Sequence, residues 1–199
     1  MKEHLLISIR ITVVLLVITC GIYPLAVWAI GQTVFRHNAN GSLIVRDGKV
    51  IGSEIIGQNF AGERFFHPRP SNAGSDGYDG TASGGTNYGP TSKKLLDSIS
   101  DRVNKYTDVK PADGIPADAV TASESGLDPH ISPENAASQS ARVARANGLT
   151  QSQVDDMIRK RTEGRFLGIY GEPRVNVLLL NLDIMQNHGE ADRRSAPRS

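Results

Sequence analysis

Twenty-five consecutive residues, Ile11 to Phe35 (ITVVLLVITCGIYPLAVWAIGQTVF), carry no formal charge, and the rest of the chain depends on their fate. About 20 apolar residues suffice to cross a hydrocarbon layer, so the run is either a retained membrane helix or a secretory segment that is removed. Retention is the favoured reading. The run is longer than the roughly 7–15 apolar residues of a signal-peptide core, and Arg10 and Arg36 bracket it. Two rival signals lie in the same stretch. Val27-Trp28-Ala29 has the small-x-small character of a cleavage site, and Val17 to Cys20 half-resembles a lipid-attachment box, with Thr19 bulkier than such boxes usually place before the cysteine. Cys20 then reads most simply as a small apolar residue. Pro24 removes one backbone hydrogen bond and is expected to kink the helix. Gly21 and Gly31 offer flat patches for a second helix, or are the ordinary composition of a membrane helix.

Charge does not fix the orientation. Lys2 and Arg10 precede the run, while Arg36, Arg46 and Lys49 follow it. Long domains cross membranes largely regardless of such counts, and a short basic leader before an apolar run behaves as a signal-anchor, so the C-terminal portion is expected outside the cytoplasm. Setting aside Lys2, Arg10 and Glu3 from the 22 basic and 21 acidic residues leaves 20 of each. A neutral domain argues against nucleic acid or an anionic membrane surface as its partner. With its cysteine in the apolar run, the domain needs no particular redox compartment.

The expected organisation is a leader and anchor over 1–36, a single extracytoplasmic α+β domain over 37–188, and a disordered tail over 189–199. The domain should hold short strands and about three helices. SLIVRDGKVIGSEIIG places Asp47-Gly48 between two β-branched runs, a hairpin signal, because both turn positions need positive φ. FFHPRPS reads as a stiff extended strap fixed by Pro68 and Pro70, with Arg69 held outward. Ala73 to Pro90 is glycine-rich. A helix over Ser92 to Tyr106 carries Leu95, Leu96, Ile99, Val103 and Tyr106 on one face, and Asp108 to Asp118 is a Pro-interrupted connector. Ser132, Pro133 and Gly148 bound a second helix with a small-residue face, and Thr150 and Gln153 form a capping box for a third. Phe166 to Tyr170 and Arg174 to Met185 are the last elements, and VNVLLLNLDIM reads as a buried central strand, with a helix left open by periodicity.

Catalytic chemistry is thinly represented. Gly84 to Gly89 fits the spacing of a phosphate loop, with Gly84, Gly85 and Gly89 as its candidate nucleotide-binding residues, but Pro90 and Thr91 stand where lysine and a hydroxyl should follow. Ser123, Asp128 and His130 could be assembled into a hydrolytic triad, although G-x-S-x-G is absent. No metal-ligand spacing is present: His67 and His130 lie far apart, and Asp76 and Asp79 in their glycine-rich loop read as a solvated face.

SEIIGQNF, FFHPRPS, GYDGTASGGTNYGPTS, TASESGLDPHISP and above all TEGRFLGIYGEPRVNVLLLNL resemble the KdpC family of the Kdp-type potassium-transporting P-type ATPase, in family order and up to about Leu182. Thr86, Tyr88 and Glu124 depart from the family pattern. The resemblance implies a non-catalytic, single-pass accessory subunit of a bacterial cytoplasmic (inner) membrane complex. Its partners would be a channel-like potassium-translocating subunit, a P-type ATP-hydrolysing subunit and a small stabilising membrane peptide, all in the lipid bilayer. The complex would use ATP and Mg²⁺ and transport K⁺, with no cofactor bound firmly by this chain. The implied role is to assemble or stabilise the complex, with a second described role of raising the ATP affinity of the catalytic subunit. Arg69, Asn87, Asp128 and His130 are the candidate partner contacts of the domain, and Gly21, Pro24 and Gly31 those of the anchor. The alternative function is a secreted or membrane-anchored serine-type hydrolase.

Overall fold

The computed structural model of the protein describes residues 2–108 and 114–195. It falls into two compact units, Met1–Ile51 and Gly52–Ser199. In the first, α1 (Lys2–Leu16), a π-helical turn (Val17–Ile22) and α2 (Tyr23–Val34) run on as a single helix. Lys2–Val34 spans 33 residues with a mean hydropathy of 2.5 in its most apolar window, none of it buried, so it is long and apolar enough to cross a membrane.

Pro24 explains the π turn. It has no N–H to offer the Cys20 carbonyl, and its ring presses on that carbonyl one turn back. Widening the turn so that the Tyr23 N–H donates to the Ile18 carbonyl moves the crowded carbonyl aside without breaking the helix. The hydroxyls of Thr19 and Thr33 donate to the Leu15 and Ala29 carbonyls at 2.7 and 2.8 Å, leaving neither bare in an apolar layer. A single turn, α3 (Arg36–Ala39), follows, and Ala39 lies 3.5 Å from where a Cβ on Gly31 would stand. The expected hairpin forms from β1 (Leu43–Arg46) and β2 (Lys49–Ser53), with Asp47 and Gly48 at φ of 51° and 74°.

The second unit is built on α6 (Pro133–Asn147), α7 (Gln151–Arg161) and α8 (Val177–Ser195), with α4 (Lys93–Lys105) and the short α5 (Ala117–Val120) beside them. A small antiparallel sheet is ordered β3-β5-β4, from β3 (His130–Ile131), β5 (Arg174–Asn176) and β4 (Thr162–Glu163). Its register sets Ile131 and Thr162 on either side of Val175. Local signals set the helix ends as the sequence suggests. The Ser132 hydroxyl accepts from the Asn135 N–H at 3.1 Å, Gly148 takes a left-handed φ of 66°, and the Thr150 and Gln153 side chains cap each other's backbone. Ala136, Val143 and Ala144 on α6 meet Val154 and Ile158 of α7, and Val177, Leu180 and Ile184 of α8 close the core. Small residues on α6 are what let its neighbour come close.

Arg174 to Met185 is not one central strand. Only Arg174–Asn176 is extended, and a helix begins at Val177. The reason is Asn176, whose Oδ1 accepts the Leu179 N–H at 3.1 Å and so caps a new helix N-terminus. Val177, Leu178, Leu180 and Ile184 are then buried on one helical face. This replaces the expected central strand with an additional helix, while the mixed helix-and-strand class stands. The α8 backbone is helical to Ser195, over part of the stretch expected to be a structureless tail, and residues 196–199 lie outside the described residues. Of the connector from Asp108 to Asp118, residues 109–113 also lie outside them. The apolar face of α4 has no buried residue, and Leu96 is 64% exposed.

The strap from Phe65 to Ser71, entered through a turn at Glu63 and Arg64, has no strand partner among the described residues, yet Phe66 is fully buried. Its backbone is satisfied by side-chain amides instead. Asn181 of α8 accepts the Phe66 N–H at 2.8 Å and donates to the Phe66 carbonyl at 2.9 Å. Gln139 of α6 does the same for His67, at 2.7 and 3.1 Å. Arg142 donates to the Glu63 and Phe65 carbonyls, and Asn147 to the Arg64 carbonyl.

Two outcomes are expected. Asn181→Leu keeps the number of side-chain heavy atoms but orphans two buried backbone groups, and should lower the stability of the full-length chain by about 2–5 kcal/mol in denaturant unfolding. An unchanged midpoint would contradict the clamp. Pro24→Ala should let the π turn relax to α-helix and slow hydrogen exchange at the amides of Gly21, Ile22, Tyr23 and Leu25. Unaltered exchange there would mean that proline does not cause the turn.

Candidate functional site

The strap, the glycine-rich loop and the TASESGLDPHISP segment fold into one another. Ser71 is the junction of the three: its hydroxyl donates to the Gly126 carbonyl at 2.6 Å and accepts the N–H groups of Ala73 and Tyr78 at 3.2 and 2.8 Å. The Gly57 N–H donates to the Leu127 carbonyl at 2.8 Å, and the Gly84 N–H to the Ser125 carbonyl at 2.9 Å. Glycine is required where these loops cross. Gly126 has φ of 68°, and a Cβ on it would stand 2.8 Å from that of Ala73. A Cβ on Gly85 would reach within 2.6 Å of the Glu124 carbonyl oxygen.

Arg69 is not held outward. Its Nη1 donates to Asp128 Oδ2 at 2.9 Å, and both side chains are about three-quarters covered. Prolines on either side fix the strap in extended form, and the carboxylate of the facing loop captures the guanidinium that the strap presents. Asp128 Oδ1 accepts the His130 N–H at 3.0 Å, closing a turn over Pro129, and lies 3.5 Å from His130 Nδ1. Burial pushes the Asp128 carboxyl up. The His130 ring and N–H together with the Arg69 guanidinium outweigh it and hold the group below its ordinary value. The Tyr78 hydroxyl donates to the Arg69 carbonyl at 2.7 Å. Burial, then the Asp128 charge, raise its pKa well above the usual tyrosine value, so it stays a neutral donor.

Arg69, Asp128 and His130 line an open depression of about 580 Å³ with Glu134, Glu172 and Arg174. Asn87, at φ of 53°, lines another of about 320 Å³ with Gly85, Ser123 and Arg102. Ser123 thus sits in a different depression from His130, and Asp128 is engaged by Arg69, so the hydrolytic arrangement is not assembled. The Ser132 hydroxyl, beside His130, donates to Asp118 at 2.9 Å and caps α6. The Gly84 N–H and the packing face of Gly85 are turned to the neighbouring loop, while Gly89 has open space around it. Among the described residues, no group of three or more His, Cys, Asp or Glu could hold a metal ion. In the long helix, Gly21 has nothing within 4 Å of a Cβ position, and Pro24 is exposed.

Sequence reasoning did not single out Tyr78, Ser71, Gln139 or Asn181. Their signal is weak: a polar side chain on a helix face or in a loop says nothing of which backbone it will satisfy.

A family model described as "KdpC: K+-transporting ATPase, c chain" matches residues 5–186. The chain is 48% identical over 184 residues to the potassium-transporting ATPase KdpC subunit of Koribacter versatilis (strain Ellin345), covering 92% of this chain and 95% of that one. It is 51% identical over 185 residues to the protein of the same description from Mycobacterium tuberculosis (strain ATCC 25618 / H37Rv), covering 92% and 97%. With that of Myxococcus xanthus it shares 50% identity over 193 residues, covering 95% and 90%.

Asp128→Asn should destabilise the full-length chain by about 1–3 kcal/mol at neutral pH. Because the folded-state pKa is depressed, the carboxylate's contribution is complete above the ordinary value of 3.8 and is lost as pH falls through the lower folded value. The gap between wild type and variant should therefore hold from pH 7 to about 5 and shrink below about 4. A gap independent of pH would show that the ionised carboxylate is not the source.

Proposed function

The chain belongs to the KdpC family of K⁺-transporting ATPases, and on that footing we propose that it is the non-catalytic, single-pass subunit that assembles and stabilises the transport complex. The long N-terminal helix is the tether in the bacterial cytoplasmic membrane. The domain from residue 37 to 188 lies outside the cytoplasm and docks on the channel-like subunit that carries K⁺. A P-type subunit supplies ATP hydrolysis with Mg²⁺, and a small membrane peptide completes the complex.

The observation that carries this reading is the joining of the three loops into one fixed surface by Arg69, Asp128 and Ser71. Ordered glycine- and proline-rich loops without an assembled nucleophile suit a fitted interface better than a catalytic site. Arg69, Asp128 and His130 shape that surface, and Asn87 contributes an exposed edge of it. Gly21 and Pro24 present open helix surface to a neighbouring membrane helix, and Gly31, approached by Ala39, is the third candidate contact of the anchor. Assembly is favoured over raising ATP affinity, since the Gly84 N–H and the face of Gly85 are engaged by the Ser123–Ser125 loop rather than arranged around a phosphate.

The test is co-expression of the tagged full-length chain with the other subunits and purification in mild detergent. The partner subunits should accompany it. Asn87→Gly, which removes an exposed side chain and tolerates the left-handed φ of 53°, should lower their recovery several-fold with little change in unfolding. Recovery of no partner by the wild-type chain would overturn the assembly role. Saturable binding of millimolar ATP to the purified full-length chain, followed by calorimetry, would favour the ATP role instead.

A further inference from the structure

Between β4 and β5 the chain makes a tight turn whose side chains the fold does not use. Phe166, Leu167, Ile169 and Tyr170 are 72%, 74%, 73% and 65% exposed. Four neighbouring apolar side chains so uncovered present on the order of 500 Å² of surface, the size of the largest apolar patch on a typical monomer. The turn is nonetheless built. Phe166 and Tyr170 exchange backbone hydrogen bonds at 2.8 and 3.0 Å, and the Gly168 N–H donates to the Arg165 carbonyl at 3.0 Å. Leu167 is held at φ of 54°, a left-handed conformation that costs a side chain about 1–2 kcal/mol, in a place where solubility gains nothing from a leucine. The turn is carried by β4 and β5, which pair Thr162 with the fully buried Val175, so it is rooted in the core rather than in a loose loop.

The charges around it identify the occupant. Arg165 pairs with Glu172 at 2.8 Å and Arg174 with Glu163 at 2.9 Å, so the base of the turn is neutral and each arginine has a carboxylate partner within the chain. An anionic lipid surface is recognised by unpaired basic residues, which this rim does not offer. Two copies of a convex tip facing each other would bury about 1,000 Å² at most, short of the roughly 1,200–2,000 Å² of a stable interface. A rigid apolar projection ringed by satisfied ion pairs fits a concave, uncharged apolar groove on another protein. We propose that Phe166 to Tyr170 is a preformed plug that inserts into an apolar groove of a partner subunit of the transport complex. This rests on the assembly role proposed above.

The experiment is site-specific photo-crosslinking from a benzophenone side chain at position 166 of the full-length chain, co-expressed with the other subunits. It is paired with purification of the Phe166→Ser/Ile169→Ser variant. The expected result is a crosslink to a partner subunit and at least ten-fold lower partner recovery by the variant. Thermal unfolding of the variant should be unaltered, since the side chains removed are exposed. Crosslinks only to lipid or only to a second copy of this chain would overturn the proposal, as would equal recovery by variant and wild type. Failure of the wild-type chain to recover any partner would instead overturn the assembly role, so the two failures are distinguishable. Should the double variant not fold, the crosslink alone decides.

Discussion

An extended segment that buries a core side chain without a strand beside it has to find partners for its backbone elsewhere, and the strap from Phe65 to Ser71 finds them on helices. Burying an unpaired N–H or C=O costs about 1–3 kcal/mol each, so Phe66 in the core is tolerable only because Asn181 meets both of its backbone groups. Gln139 is used more fully still. Besides gripping His67, it donates to Asn135 at 2.9 Å and accepts from Arg142 Nη2 at 2.7 Å. Asn135 donates in turn to Asp118, and Arg142 to Asp108 at 2.6 Å. A connected polar network of this kind is rigid because each member is satisfied by the next. It ties the strap to α6 and α8 at once.

The functional surface follows from that attachment. Once Phe66 and His67 are fixed, the two prolines leave Arg69 little freedom, and Asp128 completes the ion pair from the facing loop. The glycine-rich loop then closes over Ser71, in a space so narrow that Gly126 and Gly85 admit no side chain. What composition suggests is a flexible linker is held by hydrogen bonds to the strap and to the loop around Ser125. The same economy recurs at the tip between β4 and β5, where a turn of local backbone bonds supports apolar side chains that the core does not need.

Much of this could be read beforehand where the determinant is local. The Asp47-Gly48 turn, the Ser132 cap, the Gly148 stop and the Thr150/Gln153 capping box each depend on residues within a few positions, and each stands as the spacing suggests. The loss of a backbone hydrogen bond at Pro24 was legible as well, although its resolution as a π turn within a continuous helix rather than a kink was not. VNVLLLNLDIM suits a buried strand or a buried helix equally, and the cap that settles it, Asn176, is local but does not announce itself within an apolar run. Elsewhere reading failed where distance decides. Arg69 reads as outward-facing until Asp128, far along the chain, is brought to it. The amide clamps were illegible for the same reason, since nothing near Asn181 or Gln139 names Phe66 or His67 as a partner.

Amide hydrogen exchange at Phe66 and His67, followed in the full-length chain in detergent, measures the clamp directly. Both N–H groups should exchange as slowly as core amides of α6 such as that of Val143, although neither belongs to a helix or a sheet. Exchange as fast as that of an exposed loop glycine such as Gly80 would show that the strap is not held by Asn181 and Gln139, and would remove the support on which the surface around Arg69 rests.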